Sequence, residues 1–271
     1  MHRPLACATL ALSLAACDVS QEQEVQLGRQ NAEQIAAQLP IVDDPVVERY
    51  INALGTRIAR PADARGLEWQ FRVVDSREVN AFALPGGFIF VNRGLIERAG
   101  NLSELAGVLG HEIGHVTLRH SVEQLKSAQK TNIGVTLLCT LTNVCDNGLA
   151  RVAINVGGSA LFAKHSREDE READAEAVDN VVRAGISPAG IPSMFETLMK
   201  ERRAEPGVVD AWFGTHPLEE SRVTETRRLV GALDAAQLAQ LAVDSPEFQA
   251  FQRRLRALPP PPEPAAPPPQ P

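Results

Sequence analysis

Apolar positions fall at helical spacing over most of the chain and alternate in one short stretch near its middle. Leu27, Ile35 and Leu39, then Val46, Val47, Ile51, Leu54 and Ile58, recur at three- and four-residue steps. That spacing predicts helices over Gly28–Leu39 and Pro45–Ala59, parted by Pro40 and by Asp43, Asp44 and Pro45. From Leu67 the period falls to two, because Trp69, Phe71 and Val73 alternate with polar residues. Val79–Leu84 and Phe88–Val91 then flank Pro85, Gly86 and Gly87, which reads as a strand followed by a hairpin. Helical spacing returns at Leu102 and holds to about Leu125. Asn101 stands in the N-cap position with Glu104 three residues on, and Leu102, Leu105, Leu109 and Ile113 form a stripe for burial. Gly107, Gly110 and Gly114 lie inside this helix, where each costs up to about 1 kcal/mol relative to alanine, so another backbone is expected to approach there.

Beyond it, apolar runs at Ile133–Leu141 and Leu149–Phe162 read as a helical hairpin or lid, and neither is long enough to cross a bilayer. Ser166 caps a helix that Gly185 ends. Ser187 and Pro188 open another to about Arg203, helical segments follow from Val223 to Leu241, and Ser245–Leu258 closes the pattern with Phe248, Phe251 and Leu255 inward. The whole reads as a mainly helical α+β domain over residues 27–258. Residues 259–271 hold nine prolines and no apolar period, so they form an extended tail.

Composition sharpens this picture at two points. With 27 basic against 34 acidic residues and no basic run, nucleic acid is excluded as a partner. The N-terminus has Arg3, an apolar run from Leu5 to Leu14 and small residues up to Cys17, the pattern of a signal peptide over residues 1–16. Leu14, Ala15, Ala16 and Cys17 resemble the lipobox of bacterial lipoproteins, which implies acylation of Cys17, a polar tether over 17–26 and anchorage to a membrane by lipid. In an oxidising compartment Cys139 and Cys145 form an even pair whose short spacing allows a small disulfide loop.

The chemistry sits in the helix from Leu102. His111, Glu112 and His115 make an H-E-x-x-H run, whose two imidazoles, four residues apart, project one turn apart from the same face. Such a pair binds one zinc ion, with Glu112 beside it as general base of a peptidase. In the run Ser166–Asp174, residues 170 and 174 share the face of Ala177, Val178 and Val181, whereas Glu168 and Glu172 point away. Glu170 is therefore the expected third ligand, and Asp174, one turn on, the group that holds a ligand histidine by its other nitrogen. His216 and Arg222 are candidates for oxyanion stabilisation, as is Tyr50 more remotely. Asn80, Ala81, Phe82 and Ala83 belong to a strand along which an extended substrate backbone can pair.

Four stretches together resemble one family: Asn80–Gly87, the H-E-x-x-H helix, the run from Ser166 to Asp174, and His216-Pro217 with Arg222. They are similar to the HtpX and CAAX prenyl protease family of zinc metallopeptidases, most of all its stand-alone periplasmic lipoprotein members in Gram-negative bacteria, and the likeness spans roughly residues 25–257. The resemblance implies a gluzincin-type fold and one zinc ion (Zn2+) per chain, with the residue matching Glu170 as third ligand and a histidine matching His216 that can approach the metal. It also implies an endopeptidase on the periplasmic side of the envelope that cuts misfolded or unassembled envelope proteins. The rival expectation is a zinc-stabilised chaperone or assembly factor. Some relatives carry a repeat domain that leads them to the outer-membrane β-barrel assembly machinery. The proline tail stands in its place, so that partnership does not follow.

Overall fold

A computed structural model describes residues 19–127, 164–205, 207–217 and 219–262. The expected signal peptide, Cys17, the Cys139–Cys145 pair, the hairpin over 131–162 and the end of the proline tail lie outside the described residues.

Helix α1 runs over Gln21–Gln38, earlier than the apolar spacing predicted. Ser20 caps it in a reciprocal box with Gln23, so the expected tether through residue 26 is largely helix. Its first turns are polar, yet Glu24 is buried because Arg65 and Arg119 reach it from the domain. Helix α2 (Pro45–Ala62) starts at Asp44, whose carboxylate accepts from the backbone N–H groups of Val46 and Val47.

Strands β1 (Gln70–Val74), β2 (Ala81–Leu84) and β3 (Phe88–Asn92) form one sheet in the order β1-β3-β2. The β2–β3 hairpin is antiparallel, with Phe82 opposite Phe90, and turns through Gly86 and Gly87 at φ 81° and 98°, values that suit glycine. β1 pairs parallel to β3, with Phe71 opposite Ile89, so the last strand in sequence is the central one and is buried throughout. Ile41 bridges to Val74 on the outer side of β1, while β2 forms the other edge and packs on the central helix.

Helix α3 (Arg93–Arg98) leads into α4 (Leu102–Thr117), which is capped by Asn101 and buried at every residue from Leu102 to Val116. It is the axis of the fold. Around it pack α2, the sheet, α5 (Arg167–Arg183) and α6 (Gly190–Ala204). The expected close approach is that of α5: a Cβ on Gly110 would lie 3.3 Å from the Ala177 carbonyl oxygen, and one on Gly114 would lie 3.2 Å from that of Ala173. Helices α7 (Asp210–Thr215), α8 (Glu220–Gly231), α9 (Ala235–Leu238) and α10 (Pro246–Arg256) complete the described chain. None of the described helices is long and apolar enough to cross a membrane.

The sequence predicted one helix to about Leu125, but α4 stops at Thr117 and residues 120–127 form a separate helical stretch. Between them Arg119 adopts φ 60°, in the left-handed region. Its guanidinium is held by Glu24 Oε2 at 2.8 Å and by the Val19 carbonyl at 2.7 Å, so contacts from α1 and from the residue before its N-cap stabilise the break.

Candidate metal centre

The glycine-lined seam between α4 and α5 sets two donor-bearing faces against each other. His111 and His115 project from α4, Glu170 from the first turn of α5, and His216 from the residue that ends α7. All four are buried. His111 Nε2 lies 3.0 Å from His115 Nε2, 3.3 Å from His216 Nδ1 and 3.6 Å from Glu170 Oε2. Glu170 Oε1 lies 3.3 Å from His115 Nε2 and 3.0 Å from His216 Nδ1. A tetrahedral metal with bonds near 2.05 Å separates its ligands by about 3.3 Å, so this donor set fits a divalent cation. Two imidazole lone pairs at 3.0 Å repel unless a proton or cation lies between them, which points the same way.

Bracing surrounds the four donors. His111 Nδ1 stands 2.9 Å from Asp174 Oδ1, at ion-pair distance but not aligned as a hydrogen bond. Asp174 accepts a two-pronged contact from Arg222, Nε to Oδ2 at 2.7 Å and Nη2 to Oδ1 at 2.6 Å. Arg222 Nη1 donates to Glu170 Oε2 and, at 3.0 Å, to the Pro217 carbonyl. The indole of buried Trp212 stacks on His216 with centroids 4.6 Å apart, and His165 stacks on His115 at 3.9 Å. The backbone N–H of His165 donates to the Thr215 carbonyl, tying the entry of α5 to the end of α7. A cleft of about 480 Å³, lined by Glu170, Asp174, Arg222, Pro217 and Arg171 among others, opens alongside.

Charges in the centre are set by burial against these partners. Burial would raise the Glu170 carboxyl, but His216 and His111 hold it far below the usual range, so it is ionised. Burial opposes charge on His111, yet Asp174 and Glu170 outweigh it and push its value up to about 9. Burial keeps His115 well below its ordinary value, and burial followed by the charge of His216 brings His165 down to about 3. The Glu112 carboxyl is raised, chiefly by burial, and His216 and His111 oppose the shift. Glu112 Oε1 has no hydrogen-bond partner and lies 3.4 Å from His216 Nε2.

The structure thus brings His111, Glu112, His115, Glu170, Asp174, His216 and Arg222 into one cluster. Arg222 departs from a free donor, since four of its five N–H groups are engaged by Asp174, Glu170 and Pro217 and one on Nη2 is left. Tyr50 also departs: it stacks on Phe251 at 4.3 Å, beside Asp244, Ser245 and Glu247 at the start of α10, and burial pushes its hydroxyl up to about 12. Asn80 accepts the Asn92 N–H through its carbonyl at the entry to β2, and Ala81, Phe82 and Ala83 lie on that edge strand. His120, His165, Trp212 and Glu172 were not foreseen. A count would have flagged two of them, because every histidine except His2 falls in this cluster.

Residues 45–230 match the model of Peptidase family M48, and the chain belongs to that family. The chain is 30% identical over 232 residues to the "Beta-barrel assembly-enhancing protease" of Escherichia coli (strain K12), covering 83% of this chain and 46% of that protein. It is 32% identical over 179 residues to "Metalloprotease YcaL" of the same organism, covering 64% and 68% of the two chains. Against "Mitochondrial metalloendopeptidase OMA1" of Schizosaccharomyces pombe it is 27% identical over 208 residues, covering 75% and 59%. The chain therefore spans about half the length of the first of these relatives.

Proposed function

We propose that this chain is a zinc-dependent endopeptidase of the bacterial envelope, held to a membrane through lipid on Cys17, that cuts exposed segments of misfolded or unassembled envelope proteins. The observation that carries the reading is the buried set of His111, His115, Glu170 and His216 with the carboxylate of Glu112 beside it, whose Oε1 makes no hydrogen bond. A chaperone or assembly factor that used zinc only to hold its fold would have no use for that oxygen. The names of the relatives, proteases and metalloproteases of bacterial and mitochondrial origin, support the chemical class.

His111, His115 and Glu170 would hold the zinc, which when bound supplies Lewis acidity and makes water a nucleophile near neutral pH. Glu112 takes the proton of the water that attacks the scissile carbonyl and returns it to the leaving amine. Its raised pKa, caused first by burial, suits that exchange. An extended substrate pairs with the edge strand β2 through Ala81–Ala83, so recognition runs mainly through backbone and demands little of the sequence. Asp174 orients His111, and Arg222 holds Asp174 and Glu170 in place. His216, whose Nδ1 lies beside His111 and Glu170, would occupy a position that a reacting group needs and so would act as a latch that moves aside for substrate.

The test is a digest of casein with and without chelator. Wild type should cut and lose activity on chelation. Glu112→Gln should keep its zinc and fold and lose cleavage by about 100-fold or more, while Glu170→Ala should lose the zinc itself. Normal cleavage by either variant sinks the assignment.

A further inference from the structure

We propose that His120, oriented by Glu172, is a positioning residue that fixes the ring of His115 for metal binding. The proposal rests on the metal reading above. His115 Nδ1 lies 2.8 Å from His120 Nδ1, and His120 Nε2 lies 3.2 Å from Glu172 Oε2. If His115 gives its Nε2 lone pair to the metal, its proton must sit on Nδ1. That N–H then donates to His120 Nδ1, which must carry a lone pair, so the proton of His120 sits on Nε2 and donates to Glu172. Each tautomer fixes the next, and the chain ends on a carboxylate. Both ligand histidines are then backed, His111 directly by Asp174 and His115 at one remove by Glu172.

Backbone geometry supports the assignment independently. On an unbroken helix residue 120 would stand about 140° around from residue 115, out of reach. The left-handed Arg119 turns the chain so that His120 meets His115, a conformation that costs a non-glycine residue about 1 kcal/mol or more. Glu24 and the Val19 carbonyl hold that turn through the Arg119 side chain. Strain maintained by contacts from a distant helix, at the one point that brings a second histidine to the ligand ring, indicates a built arrangement.

His115, His120 and His165 also group closely enough to hold a metal of their own. That reading is the weaker. His115 would have to surrender both nitrogens. Gln124 Nε2, 2.9 Å from His165 Nδ1, donates to it and so occupies a third lone pair.

The experiment measures zinc affinity by competition with a chromophoric chelator, and zinc per chain by elemental analysis, on full-length protein whose metal-free fold is checked by circular dichroism. His120→Ala should weaken zinc binding by about 10- to 100-fold with the fold unchanged. His120→Gln, whose amide can accept from His115 and donate to Glu172, should recover most of that loss. Should His120→Ala fail to fold, Glu172→Ala against Glu172→Gln makes the same comparison at a half-exposed site, with alanine the weaker binder. Wild-type affinity in His120→Ala, or no recovery by glutamine, overturns the relay. Two zinc ions per chain, one of them lost in His165→Phe, overturns it in favour of the second metal site. A wild type that binds no stoichiometric zinc defeats the underlying metal reading instead.

Discussion

Removing the Arg222 guanidinium separates a brace from a catalytic donor. Arg222 is buried, contacts Asp174 through Nε and Nη2, reaches Glu170 and Pro217 through Nη1, and lies 4.7 Å over the Phe195 ring. Arg222→Ala would leave two buried carboxylates without their cation. Breaking a buried pair by deleting one partner costs about 3–5 kcal/mol. The lost ring contact adds roughly 0.5–1 kcal/mol. Zinc changes the sum, because a bound cation balances Glu170 and leaves only Asp174 short of partners, at about 1–3 kcal/mol. Urea denaturation followed by circular dichroism should therefore show a loss near 4 kcal/mol in chelator and a clearly smaller one in excess zinc. Arg222→Lys should fall between wild type and alanine, since an ammonium cannot make the two-pronged contact. A loss below about 1 kcal/mol in chelator, far less than a broken buried pair costs, with kcat alone reduced, would refute the brace and return Arg222 to the oxyanion role.

Three further substitutions have outcomes that can be checked separately. His216→Ala should raise basal cleavage severalfold if the ring is a latch, and a fall in kcat at unchanged zinc content rejects it. Asp44→Ala should lower stability by about 1–2 kcal/mol in thermal denaturation, because Asp44 caps α2 and accepts from Arg254 at 2.9 and 2.6 Å. The Asp44 carboxyl is held below its ordinary value, first by Arg254 and then by the Val47 N–H, so its contribution is present above about pH 4 and is lost as pH falls through the folded value. A gap between wild type and variant that fails to narrow in acid would show that Arg254 and the cap are not its cause. Cys17→Ser should release the protein from membranes, and a variant that stays with the membrane after a salt wash places the anchor elsewhere.

The parts of the centre legible in the sequence were those that local periodicity decides. Four-residue spacing put His111 and His115 on one face, and the same geometry turned Glu170 and Asp174 inward, while the glycines of α4 announced a close backbone without saying which; it is α5 at Gly110 and Gly114 and α6 at Gly107. What long-range contacts decide was not legible. Residues 116–121 contain no glycine, proline or asparagine, so nothing local marks the turn at Arg119; a carboxylate 95 positions earlier holds it. Glu172 sits on the outward face of its helix, as expected, and still finds a partner because the broken helix brings His120 across. The start of α1 was hidden for a related reason: its first turn is polar, and the burial of Glu24 depends on Arg65 and Arg119. Strand order, with β3 central, likewise rests on pairing between distant segments.

The early start of α1 changes how far such an enzyme could reach. Were Cys17 acylated as proposed, the cap at Ser20 would leave three peptide units between lipid and helix, a leash of at most about 10 Å where a tether to residue 26 would give roughly 30 Å. Four residues past Ser20, Glu24 grips Arg119, which lies four residues past His115. Movement of the anchor relative to the centre would therefore be that of a short rigid arm. Cleavage would be confined to polypeptide lying within a protein's width of the bilayer, and chains free in the surrounding fluid would be cut only after drifting to the surface.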